Sequence, residues 1–212
     1  MRNIVIYGCG GLGLETVQLI EDINREKKTW NILGFIDDCD YNVGRDVMGY
    51  KILGGQEYIV ENKIEYVAIA IANPNVRKNI SLCLKDVCKF PVLKHPSVKI
   101  QRGTVIREGC LIFSNSVISV LVSIGPFTII NPMCGIGHGA ILSSYCTLMW
   151  NVTIAGDVIA MEGTSFGSSS TVLQNLLCEP YSYIGAGATV TENVKHKNVV
   201  VGTPAKFLKY NR

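Results

Sequence analysis

The chain has 212 residues, 48% of them hydrophobic and 17% charged, with a formal net charge of +3; that length suits one large domain or two small ones. The slight, scattered positive charge lacks the footprint of a nucleic-acid binder, and no apolar run approaches the ~20 residues needed to span a bilayer. Residues 4–7 are too few for the apolar region of a signal peptide, so the expectation is a soluble cytoplasmic protein with no membrane or nucleic-acid partner.

In chain order, residues 3–7 read as a buried strand, 14–25 as a helix, 30–36 as a strand and 66–71 as another. A helix over 76–88 follows Asn73-Pro74. This is a βαβαβ unit, half of a Rossmann domain, assigned to residues 1–95. Its first turn, GCGGLG, sets Gly8, Gly10 and Gly13 at the spacing GxGxxG, and Asp37 and Asp38 close the second strand. Amides at such a helix start receive a pyrophosphate, and an acid after the next strand receives a ribose or base edge. The pattern admits a NAD-dependent oxidoreductase. About 95 residues, however, hold one mononucleotide-binding half and not two. The spacing therefore predicts a site for a single nucleotide diphosphate, with a tight glycine turn that binds nothing as the bland alternative.

From Ile100 the period changes to six. Ile106, Ile112, Ile118, Ile124, Ile130, Ile136, Leu142, Leu148, Ile154, Ala160, Phe166, Val172, Cys178, Ile184 and Val190 continue an apolar series without a slip. Four residues after each comes a small or apolar residue, from Thr104 through Cys134 and Ala140 to Val194. Neither a helix nor a flat strand explains this period; a parallel β-helix with three hexapeptides per coil does. Coils climbing about 4.8 Å each would build a prism about 25 Å tall over residues 96–212. Residues 18 apart stack, so Val120, His138 and Gly156 form one column and Gly139 lies over Asp157. His138, third in its hexad, faces outward. The eight cysteines form no CxxC pair and have no histidine at ligand spacing, which argues against a metal site or a disulfide framework; most are expected to be small core residues. The one locally basic segment, Lys195, Lys197, Lys206, Lys209 and Arg212, lies at the C-terminus.

The motifs IVIYGCGGLG, FIDD, AIANPNVR, KHPS, GHG around His138, TIAG, GAGATV and VGTPAK together resemble the bacterial sugar O-acyltransferases. That family includes sialic-acid O-acetyltransferases and enzymes that N-acetylate nucleotide-linked 4-amino-4,6-dideoxy sugars. The resemblance implies an α/β half-Rossmann domain followed by a left-handed parallel β-helix that assembles as a homotrimer, with acetyl-CoA between neighbouring prisms and the nucleotide sugar on the N-terminal domain. Carried over by position, Gly8, Cys9, Gly10, Gly11 and Gly13 receive the diphosphate and sugar, Asp37 and Asp38 the base, and Asn73 joins the substrate site. His138 becomes the general base. Gly156 offers its amide to the thioester oxygen, Ser168 and Ala186 line the CoA channel, and Lys206 meets a CoA phosphate; no metal is implied.

Three positions depart from the family pattern. The acid that usually follows the catalytic histidine is Gly139, a second histidine nine residues on is Thr147, and the histidine of the glycine loop is Leu12. A backbone carbonyl or Asp157 could orient His138 instead. Acylation of a hydroxyl on sialic acid or another sugar, and a non-catalytic ligand-binding trimer, stand as alternatives. A zinc hydratase like the γ-class carbonic anhydrases needs several histidines, and His138 is the only one in the repeat, flanked by His95 and His196.

Overall fold

Residues Ile4 to Tyr7 bury β1 (Arg2–Tyr7), as a central strand covered on both faces requires. The computed structural model describes residues 1–39 and 42–211, and Arg212 of the basic segment lies outside the described residues. The chain forms two units, Met1–Pro96 and Ser97–Arg212.

In the first unit β1 pairs in parallel with β2 (Trp30–Ile36) and β5 (Tyr66–Ile69), and β2 pairs in parallel with β4 (Tyr50–Gly54). A short β3 (Asp46–Val47) runs antiparallel to β4 and completes the order β3-β4-β2-β1-β5. Helices α1 (Gly11–Glu26), α2 (Gln56–Glu61) and α3 (Pro74–Leu84) connect them. The expected βαβαβ unit is present, with a hairpin and a short helix added that hydrophobic periodicity did not reveal. That hairpin turns through Met48 and Gly49, both at positive φ, the turn geometry that matches strand twist. Helix α1 starts three residues before its predicted start, inside the glycine loop. Helix α3 starts at Pro74 because the Asn73 side chain accepts from the Asn75 and Val76 amides, and it ends at Leu84 rather than Cys88.

The second unit is a left-handed prism of two-residue strands. One face runs from Lys99–Ile100 to Thr189–Val190, a second from Val105–Ile106 to Leu177–Cys178. The third, which includes Leu111–Ile112 and Tyr183–Ile184, ends in the hairpin of Asn198–Val201 and Lys206–Tyr210. Pairing is in register at a spacing of 18, as in Val117↔Gly135 and Gly135↔Thr153. Both inward series form one core, exposed only towards the ends: Ile100 at 38% in the first coil, with Ile106, Thr104 and Leu176 partly buried.

Small polar residues fit this core because the corner carbonyl 15 residues on accepts from them. Thr104 Oγ1 donates to Ser119 O at 2.7 Å, Ser116 Oγ to Asn131 O at 3.1 Å and Thr128 Oγ1 to Ser143 O at 3.0 Å. The thiols of Cys110, Cys134 and Cys146 donate to Gly125, Met149 and Met161 in the same manner. Cys110, Cys134, Cys146 and Cys178 are buried, whereas Cys39 and Cys83 are exposed, so the core role belongs to the prism cysteines. Burial pushes the Cys134 thiol up to about 11 and the Cys178 thiol up to about 12, keeping both protonated.

The buried hydroxyls of Ser170 and Ser182 have no hydrogen-bond partner among the described residues. Ser116→Ala should therefore cost about 1 kcal/mol, and Ser182→Ala should be neutral or stabilising by up to about 1 kcal/mol, because it removes an orphaned group. Urea midpoints compared at one protein concentration test this; equal losses for both variants would contradict it.

Every hexad turns its corner through a left-handed residue three positions after the first-series residue, from Gly103 to Gly187. Five of these are Leu121, Phe127, Met133, Tyr145 and Tyr181, large side chains in a conformation that costs roughly 1–2 kcal/mol each. Stacking offsets part of that cost. Leu121 lies over Gly103, Phe127 over Gly109 and Tyr181 over Gly163, in space a Cβ on the glycine would occupy. Phe127 and Tyr145 stack with ring centroids 5.4 Å apart.

Candidate active site

The first candidate site lies at the carboxyl ends of β1 and β2. Gly8 has φ +104°, and a Cβ there would fall 2.6 Å from Ile71 Cδ1 and 2.9 Å from Ala70 O. A Cβ at Gly13 would collide with the Gly8 carbonyl, so these two glycines serve the close approach of α1 to β1. Gly10 and Gly11 face open space, and no fold contact demands their lack of a side chain. Gly10 caps α1 without a side-chain hydrogen bond, and the first turn contains no acid. The helix therefore presents free amides and its positive end to the loop, an arrangement suited to a phosphate.

Beside it is a cavity of about 380 Å³ lined by Tyr7, Gly8, Asp37, Asp38, Ile71 and Ile80, among others. Both predicted aspartates are held in place. Asp37 accepts from the Cys9 thiol at 2.7 Å, the Cys39 amide at 2.9 Å and Asn42 Nδ2 at 3.3 Å. Burial raises the Asp37 pKa, but these hydrogen bonds outweigh it and hold the carboxyl below its usual range. Burial, then Asp37, pushes the Cys9 thiol up to about 11, so it acts as a protonated donor. The Tyr7 hydroxyl donates to both oxygens of Asp38, at 2.7 and 2.8 Å, and the Gln56 amide donates at 3.2 Å. Sequence reading missed Tyr7 and Asn42, whose roles depend on neighbours that only the fold supplies. Asn73 commits its side-chain oxygen to the α3 amides. Leu12 is half-buried at the start of α1.

The second candidate site is an edge of the prism, between the faces carrying Gly135–Ile136 and Ile141–Leu142. His138 is turned outward there, its side chain 66% exposed. Its ring rests on Gly156 one coil away: a Cβ at 156 would stand 2.5 Å from His138 Nε2 and 2.6 Å from its Cε1. The Gly156 carbonyl accepts from Asn175, while its N–H has no acceptor among the described residues. An imidazole nitrogen and a free amide thus converge on one edge. Nδ1 of the same ring lies 3.6 Å from Asp157 Oδ2, an ion-pair distance longer than a hydrogen bond.

Ser168 and Ala186, 18 residues apart and both exposed, occupy a different edge of the prism, where the Gly187 amide donates to Ser168 O at 2.9 Å. The prism therefore pairs His138 with Gly156, and Ser168 with Ala186, but does not bring the two pairs onto one edge. Lys206 lies in the terminal hairpin, 3.5 Å from Glu192 Oε1. Thr147 is buried in the third face. Among the described residues, no group of three or more His, Cys, Asp or Glu is arranged to hold a metal ion.

A half-Rossmann unit ahead of a left-handed hexapeptide prism is the fold of the hexapeptide-repeat sugar acyltransferases. The N-terminal unit is similar to the PglD N-terminal domain, whose family model matches residues 3–82. The chain is similar to a GDP-perosamine N-acetyltransferase of Escherichia coli O157:H7, 27% identical over 200 residues that cover 93% of this chain and 81% of that protein. A mutant perosamine N-acetyltransferase from Caulobacter crescentus, solved in complex with CoA and GDP-perosamine, shares the fold at TM-score 0.91, with 20% identity, 99% of this chain and 98% of that one covered. WeeI from Acinetobacter baumannii AYE superposes at TM-score 0.89, with 25% identity over 98% of this chain and all (100%) of that one.

Proposed function

We propose that the protein is an acetyl-CoA-dependent acetyltransferase that N-acetylates a nucleotide-linked amino sugar, with His138 as general base. The observation that carries the reading is the pairing of the outward His138 Nε2 with the uncovered Gly156 N–H. The neutral amine of the sugar attacks the thioester carbonyl; a C–N bond forms and the C–S bond breaks. His138 accepts the proton lost by the amine and returns it to the departing CoA thiolate. The Gly156 amide donates to the carbonyl oxygen as negative charge builds on it. No covalent enzyme intermediate is needed.

The bare start of α1, with the cavity holding Asp37 and Asp38, is suited to the nucleotide diphosphate. On this reading the E. coli and Caulobacter relatives put a GDP-linked 4-amino sugar first among acceptors. The working form is a homotrimer. Two observations support that: the exposed aliphatic pair Ile141 and Ile159, stacked on consecutive coils beside the His138 edge, and the placement of Ser168 and Ala186 on another edge, so that one prism completes the CoA groove of its neighbour. Lys206 serves a CoA phosphate, and the protein works in the cytoplasm, where acetyl-CoA is made and used. No helix among the described residues is long and apolar enough to cross a membrane.

Thiol release from acetyl-CoA, measured against UDP-, dTDP- and GDP-linked amino sugars and sialic acid, tests the reading. Release with an amino sugar and none with sialic acid is expected. Release with sialic acid alone would make the enzyme an O-acetyltransferase, and none with any acceptor would end the proposal.

A further inference from the structure

Gly139 and Asp157 occupy the same left-handed corner position on consecutive coils, at φ +66° and +57°. A Cβ at Gly139 would collide with Asp157 Oδ1, so the carboxylate fills the space left by the missing side chain and reaches His138. This follows the large-over-glycine stacking at Leu121, Phe127 and Tyr181, but here the stacked residue carries a carboxylate. Its Oδ2 stands 3.6 Å from His138 Nδ1, and Nε2 of the same ring lies on the Gly156 side. The Asp157 amide also donates to the His138 carbonyl at 2.8 Å, fixing the two residues' backbones together.

We propose that Asp157 is the positioning residue for His138: its carboxylate accepts from Nδ1–H and leaves Nε2 unprotonated, facing the edge where the acyl group is transferred. A neutral imidazole has two tautomers, and only the one with a proton on Nδ1 can accept at Nε2. A carboxylate on Nδ1 selects that tautomer and stabilises the imidazolium formed during transfer. The separation exceeds a hydrogen bond by less than 1 Å, and catalytic hydrogen bonds in ligand-free structures are often long and tighten in the complex. The acid is thus supplied from the next coil, and glycine at 139 makes room for it. The kinetic arm of the test rests on the acetyltransferase reading; the spectroscopic arm does not.

Asp157→Gly removes the carboxylate without backbone strain, since glycine adopts the left-handed corner freely. The three histidines give few signals, and His138→Ala identifies the one needed. NMR of isotope-labelled histidine in the full chain, at a pH where the ring is neutral, should show His138 with its proton on Nδ1 in the parent protein and on Nε2 predominantly in Asp157→Gly. In turnover, Asp157→Gly should lower kcat at least about tenfold with KM for both substrates little changed, and Gly139→Asp added to that variant should restore much of the loss. An unchanged tautomer, or an effect confined to KM, would overturn the proposal. A tautomer change in a protein whose parent form turns over no acceptor would sink the acetyltransferase reading and leave the positioning role standing.

Discussion

The His138→Ala variant is expected to lose roughly 10²- to 10⁴-fold in kcat, the range typical of a positioned general base. Its affinity for acetyl-CoA and for the nucleotide sugar should change little. His138 contributes almost nothing to the core: its side chain is 66% exposed, while its hexad neighbours Ile136 and Ala140 carry the packing. Thermal unfolding of the variant should therefore match the parent protein, which separates a chemical loss from a structural one. Steady-state thiol release measures kcat and KM, and isothermal titration measures binding. An unchanged kcat would move the proton acceptor elsewhere.

Much of the prism could be read from the sequence because its geometry constrains two positions in every six so tightly. The first inward position is apolar and the second small or apolar, so the series from Ile100 and Thr104 announces the fold. The same phase turns His138 outward and stacks it on Gly156. The corner conformation was not legible: Leu121, Phe127 and Tyr181 are poor candidates for positive φ, and only stacking against the coil below makes them acceptable.

In the first unit, the glycine loop and the strand–helix alternation were visible because backbone geometry demanded Gly8 and Gly13. Strands β3 and β4 were not, since they are short and only Gly49 marks their turn. Nor were the partners of the aspartates: Tyr7 meets Asp38 across 31 residues of sequence and Cys9 meets Asp37 across 28, pairings that exist only once the sheet has formed. Asp157 was half-legible. The spacing of 18 puts it over Gly139, but the packing that turns its carboxylate towards Nδ1 exists only in the folded prism.

Mixing two inactive variants should restore activity. Ser168→Trp is expected to abolish CoA binding by filling the proposed channel with an indole, at an exposed corner where the fold tolerates bulk; His138→Ala is expected to lower turnover at least about a hundredfold by removing the proposed base. The two positions are 30 residues apart, which is not a multiple of the 18-residue coil, so they fall on different edges of one prism. If each groove takes its His138 edge from one subunit and its Ser168 edge from the next, a mixed trimer contains intact grooves. Random co-assembly pairs an intact His138 edge with an intact Ser168 edge at about one interface in four, giving about a quarter of the parent rate. Refolding the two variants together from denaturant and measuring thiol release tests this, with each variant refolded alone as the control. Because neither variant has a complete set of residues, a single-chain site would give no recovery in the mixture, and that result would dismantle the shared groove.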